Sequence, residues 1–110
     1  MNVYDIAEKL SLQCVAGEDG ISNDVTGCYI GDLLSLAMAK VEEGYAWITI
    51  QTNINIVAVA SLRDAACVIL ADGQKPDENT AEKACEEGIP ILVSSMSAYE
   101  IAKGLGALSI

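Results

Sequence analysis

Apolar residues at Val3, Ile6, Ala7 and Leu10 recur at three- and four-residue spacing and predict a helix. Asn2 stands where a cap is needed, with Asp5 three residues on in a variant of the capping box. Leu12 to Ala16 reads as a short strand, Gly17 to Asn23 as a polar loop, and Val25 to Ile30 as extended chain. A helix opening at Gly31 or Asp32 is expected to run to about Glu43, burying Leu34, Ala37, Met38 and Val41, with Gly44 stopping it. Tyr45 to Ile50 has almost no polar side chain, the pattern of a strand covered on both faces. Asn53 or Asn55 caps the next helix, to about Asp64, and Cys67 to Ala71 is a second buried strand. Pro76 and Asp77 start a helix with Thr80, Ala81, Ala84 and Cys85 as its inner face, ended by Gly88. Ile89 to Val93 is the last strand. Ser97 and Glu100 form a capping box for a helix packed through Ile101, Ala102 and Leu105, and the tail from Gly104 to Ile110 is expected to fray.

Strands alternating with helices of about ten residues imply parallel β-α-β units. The expected fold class is α/β, a three-layer α/β/α domain over residues 1–110 with a mainly parallel sheet of about four to five strands.

Composition fits one domain: 110 residues, 52% hydrophobic and 20% charged. A chain of this length buries roughly 65% of its unfolded surface, so no staple is required. With 6 basic against 16 acidic residues the formal charge is −10, which argues against nucleic acid and against anionic membrane. Met1 to Asp5 lacks a basic start and no apolar run reaches membrane-spanning length. The four cysteines, Cys14, Cys28, Cys67 and Cys85, are widely spaced, and Cys67 and Cys85 fall at apolar positions. No metal, no disulfide and a reducing cytoplasmic setting are expected.

Three polar corners follow predicted strands: Gln51-Thr52-Asn53 with Asn55, Asp72-Gly73, and Ser94-Ser95-Met96-Ser97. Parallel sheets bind ligands outside the carboxyl ends of their strands, so Gln51, Thr52, Asn53, Asn55, Asp72, Ser94 and Ser95 are candidate ligand-binding residues. The plainer reading is turn and cap chemistry, which uses the same residue types. None of the corners holds Lys or Arg, which argues against a phosphate site. In Val25 to Asp32, Gly27 and Gly31 mark either a close approach by a ligand or a bent edge strand, and Thr26, Gly27, Tyr29 and Asp32 join the candidates. Ile54 to Leu62 is apolar on more than one helix face. Ile56, Val59 and Ala60 therefore form either a candidate homodimer interface or a face covered inside the monomer.

Catalytic sets are missing. There is no histidine to pair with serine or cysteine, and no G-x-x-x-x-G-K-[ST] phosphate loop. No catalytic residue and no cofactor is assigned.

The runs Asp24 to Ser35, Ala46 to Thr52 and Gly88 to Leu92 resemble the DRTGG domain, and the likeness extends over nearly the whole chain. Arg is missing beside Asp24, and Cys28 stands where a second glycine is usual. The resemblance implies a fold like the N-terminal domains of HPr kinase/phosphorylase and of Mur ligases. It also implies a regulatory accessory role, as in domains attached to CBS domains or phosphotransacetylase. A serine-kinase activity does not carry over, since the phosphate loop is absent. The expected function is a non-enzymatic regulatory module that self-associates and binds a small metabolite or a protein partner. The alternative is a non-catalytic subunit that completes an enzyme with another chain.

Overall fold

The computed structural model describes all 110 residues, Met1 to Ile110. In chain order the elements are α1 (Val3–Leu10), β1 (Gln13–Ala16), β2 (Gly27–Ile30), α2 (Leu34–Lys40), β3 (Tyr45–Thr49), α3 (Asn55–Leu62), β4 (Cys67–Leu70), α4 (Glu78–Glu87), β5 (Ile91–Val93) and α5 (Ala98–Ala107). A 3-10 turn at Glu18–Gly20 lies between β1 and β2. The fold is α/β, with one five-stranded sheet in the order β1-β5-β4-β3-β2. β2 to β5 are parallel neighbours, and β1 joins the far edge antiparallel to β5, with a bulge between Cys14 and Ala16.

The side-chain period of two sorts each strand between two cores. Trp47, Val68, Leu70 and Ile91 point to the face covered by α2, α3 and α4. Ala46, Ile48, Cys67, Ile69 and Leu92 point to the face covered by α1 and α5. From β2 to β5 the chain steps across the sheet in one direction. Crossovers of one hand then place all three connecting helices on one face. Both capping boxes form: the Asn2 side chain accepts from Asp5 N–H, and that of Ser97 from Glu100 N–H.

Several expectations are corrected. Ile56, Val59 and Ala60 are buried inside the monomer together with Val57, so the interface stripe does not exist as a surface. α3 is the middle helix of its layer, flanked by α2 and α4 over the sheet, and needs apolar residues on three sides. Only Asn55, Ala58 and Leu62 of this helix are exposed. Cys85 is exposed rather than on the inner face of α4; its sulfur accepts the Gly17 N–H at 3.4 Å. The tail does not fray: α5 continues to Ala107, Leu105 is buried, and Leu108 and Ile110 pack on the second core. Gly104 permits this, because a Cβ there would meet the Leu10 side chain at 2.7 Å where α1 and α5 cross. α2 is shorter than expected, since Asp32 bonds to β3 instead of opening the helix.

The thiols give a pH dependence. Burial pushes Cys28 from 9.0 up to about 11 and raises the wholly buried Cys67 further. A raised folded value keeps the proton on in the native state while the unfolded thiol loses it. The contribution of Cys28 to stability is therefore complete below pH 9 and is lost as pH rises toward 11. Urea unfolding from pH 8 to 11 should show falling stability, with a shallower slope in Cys28→Ala.

Candidate functional site

The carboxyl ends of the parallel strands are not equivalent. After β4 the chain turns to α4 on one face, and after β5 it turns to α5 on the other. Loops that diverge to opposite faces leave a crevice between adjacent strands, the usual ligand position in open α/β sheets. A cavity of about 550 Å³ lies there. The β4–α4 loop supplies Gly73, Gln74 and Lys75, and the β5 end supplies Val93, Ser94, Ser95 and Met96. Leu10, Ser11 and Gln13, from the end of α1 and the start of β1, complete the wall.

Local chemistry builds both loops. Asp72 and Gly73 have φ of 58° and 73°, and the Gln74 N–H donates to the Ala71 carbonyl at 3.1 Å. Two successive left-handed residues are what a type I′ turn requires, and Asp-Gly suits it. Asp72 N–H donates to the Met96 carbonyl and Gly73 N–H to that of Ser94, fixing the two loops together. Ser94 Oγ accepts the Met96 N–H at 3.0 Å, which leaves its O–H free to donate.

The sequence-derived candidates separate into three places. Ser94 and Ser95 line this cavity and Asp72 shapes its rim. Asp32 joins the first corner: its Oδ1 accepts from Thr49 Oγ1 at 2.8 Å and from Ile50 N–H at 3.0 Å. Gln51 donates to the Asp32 carbonyl, and Asn53 donates to Gln51 and accepts the Asn55 N–H. The Thr52 carbonyl accepts from Asp77 N–H and from Thr80 Oγ1, which is buried. These groups satisfy one another, as turn and cap residues do.

Thr26 and Gly27 lie at the opposite, amino end of the strands. Gly27 lets the Tyr45 ring lie across it, since a Cβ would meet that ring at 2.5 Å. Thr26 packs on Gly44, whose φ is 82°, and donates to the Glu43 carbonyl at 3.3 Å. The Thr-Gly pair thus clamps β2 to the start of β3. Tyr29 is half-buried against the first core and folds over Gly31. A second cavity, of about 660 Å³, opens at this end and is lined by Asp24, Glu43, Asp64 and Glu87 among others.

Sequence reasoning missed Leu10, Ser11, Gln13, Gln74, Lys75 and Met96 as cavity residues. No Lys or Arg lies within the corners themselves, but Lys75 lies just beyond one of them and lines the cavity. It stands two residues beyond Asp72-Gly73, and both of the chain's ion pairs are made by Lys83 instead.

The sheet order and the two helical layers define a three-layer α/β domain with a crevice after β4 and β5. Residues 5–108 match the DRTGG domain, and the chain belongs to that family. Among curated proteins none matches it. It is similar to a crystal structure of the CBS and DRTGG domains of the regulatory region of Clostridium perfringens pyrophosphatase, complexed with activator, diadenosine tetraphosphate. The TM-score is 0.72 at 14% identity, covering 93% of this chain and 44% of that one. The chain therefore spans less than half the length of that structure. No helix is long and apolar enough to cross a membrane.

Proposed function

We infer that this chain is a non-catalytic regulatory domain that binds a small metabolite in the cavity at the carboxyl ends of β4 and β5. The observation that carries the reading is the divergence of the two loops there around a preformed cavity of ligand size. The regulatory character of the structurally similar pyrophosphatase region, and the small-molecule activator in its complex, support the same reading. The serines of the cavity have no histidine to activate them, because the chain has none.

A metabolite panel read by thermal melting tests this. A ligand at a hundred times its Kd adds about 2.7 kcal/mol of stability. Ser95→Trp, which fills the cavity from an exposed position, should abolish the shift, while Glu43→Gln in the other cavity should leave it intact. A shift that survives Ser95→Trp, or a panel without any shift, overturns the reading.

A further inference from the structure

We propose that the cavity after β4 and β5 takes a planar ligand that carries a single anionic group. This rests on reading the cavity as the ligand site. The chain has 16 Asp and Glu against 6 Lys and Arg, yet no carboxylate lines this cavity and Lys75 does. The larger cavity at the other end of the sheet shows the reverse, with four carboxylates and no cation. At a net charge of −10 the protein's field repels anions, and of the two larger cavities this one alone has a cation in its lining.

One lysine also sets an upper limit. Lys75 can match one phosphate or carboxylate as a point charge, helped by the free O–H of Ser94. A chain of phosphates would place its remaining charges near an acidic protein with no further cation in the cavity. The diadenosine tetraphosphate bound by the pyrophosphatase region is thus the wrong charge class for this site.

The rest of the lining describes the ligand's body. Leu10 and Met96, both packed on the second core, give the lining an apolar part, and a methionine thioether packs well against an aromatic ring. The carboxamides of Gln13 and Gln74 each offer donors and an acceptor, the chemistry that reads the edge of a heteroaromatic ring. A volume of about 550 Å³ accommodates such a ring with its substituent.

The test is amide-detected NMR titration of the full chain. The probes are the 5′-monophosphates of adenosine, guanosine, cytidine and uridine for phosphate, and nicotinate for carboxylate. The nucleosides and nicotinamide are the neutral controls, and diadenosine tetraphosphate is the multiply charged one. At least one single-anion probe should shift the amides of Gly73, Gln74, Lys75, Ser94, Ser95 and Met96, and which arm responds identifies the anion. Lys75→Gln should weaken that binding about tenfold, Glu43→Gln should not, and the neutral and tetraphosphate probes should bind at least about tenfold more weakly. Failure of every single-anion probe overturns the proposal. So does equal or tighter binding of a neutral or tetraphosphate probe, or a Lys75→Gln variant that binds normally. An uncharged metabolite found at the same amides would sink this inference and leave the ligand site standing. A broad panel that moves none of them would sink both.

Discussion

Gly17→Ala should lower the melting temperature by about 15 °C or more, the largest effect expected of any single-methyl change in this chain. Gly17 follows β1 with a φ of 70°, a left-handed conformation that costs a residue with a side chain about 1 kcal/mol. Space is the greater obstacle. A Cβ at Gly17 would collide with the Ile89 carbonyl and lie 2.9 Å from the Pro90 nitrogen, both backbone atoms just ahead of β5. Backbone cannot swing aside as a long side chain can, so β1 must move off its partner. Displacing it breaks pairing with β5 and exposes Leu12 and Ala16, for a total of roughly 3 kcal/mol or more. Gly106→Ala is the control. It sits near the end of α5 with nothing within 4 Å of the added carbon, so helix propensity predicts an unchanged or slightly higher melting temperature. Thermal melts of the two variants followed by circular dichroism decide the matter. Equal melting temperatures would remove the steric account of Gly17.

Trp47→Ala should cost about 3–5 kcal/mol, and in a domain of this size such a loss removes much of the net stability. Trp47 is the chain's one tryptophan and is wholly buried in β3 beneath the α2–α4 layer. Its Nε1 donates to the Gly31 carbonyl at 2.9 Å. That bond fixes the exit of β2 just ahead of Asp32, whose carboxylate holds Thr49 and Ile50 at the end of β3. Trp47→Phe retains most of the apolar volume but leaves the carbonyl without its donor, so a smaller loss of about 1–3 kcal/mol is expected. Urea denaturation should rank wild type above Phe above Ala. A Phe variant as unstable as Ala would mean that volume contributes little and the hydrogen bond nearly all.

Much of the fold was legible in local patterns. Asn2 with Asp5, and Ser97 with Glu100, mark helix starts because a cap is chemistry between residues three apart. The near-continuous apolar runs of β3 and β4 mark buried parallel strands because both of their faces are covered. What was not legible depends on contacts distant in sequence. Nothing in Gln13 to Ala16 says that it crosses to β5 and runs antiparallel, and so nothing placed Gln13 in a cavity wall. The all-round apolar pattern of α3 reads equally well as a partner surface or as a central helix, and only the positions of α2 and α4 distinguish the two. Of the candidate site, the serines after β5 were visible as polar residues at a strand end. Lys75 was not, because nothing local in the sequence places it in the lining of the same cavity as Ser94 and Ser95. Asp32, Gln51 and Asn53 carried the same polar signal as the serines, and their hydrogen bonds to one another separate the two cases.

The antiparallel edge strand has a consequence in time. β2 to β5 each find their neighbour through a short crossover, so their pairing closes short loops and can build up stepwise. β1 pairs with a strand more than seventy residues later, Cys14 opposite Leu92, and that pairing can close only once β5 is in place. An edge strand of four residues, bulged and paired on one side, is also where local opening requires the least free energy. The strand that arrives last is thus the one that leaves most readily. Because Gln13 belongs to it, opening of β1 would release one wall of the cavity while the parallel strands beside it stay closed.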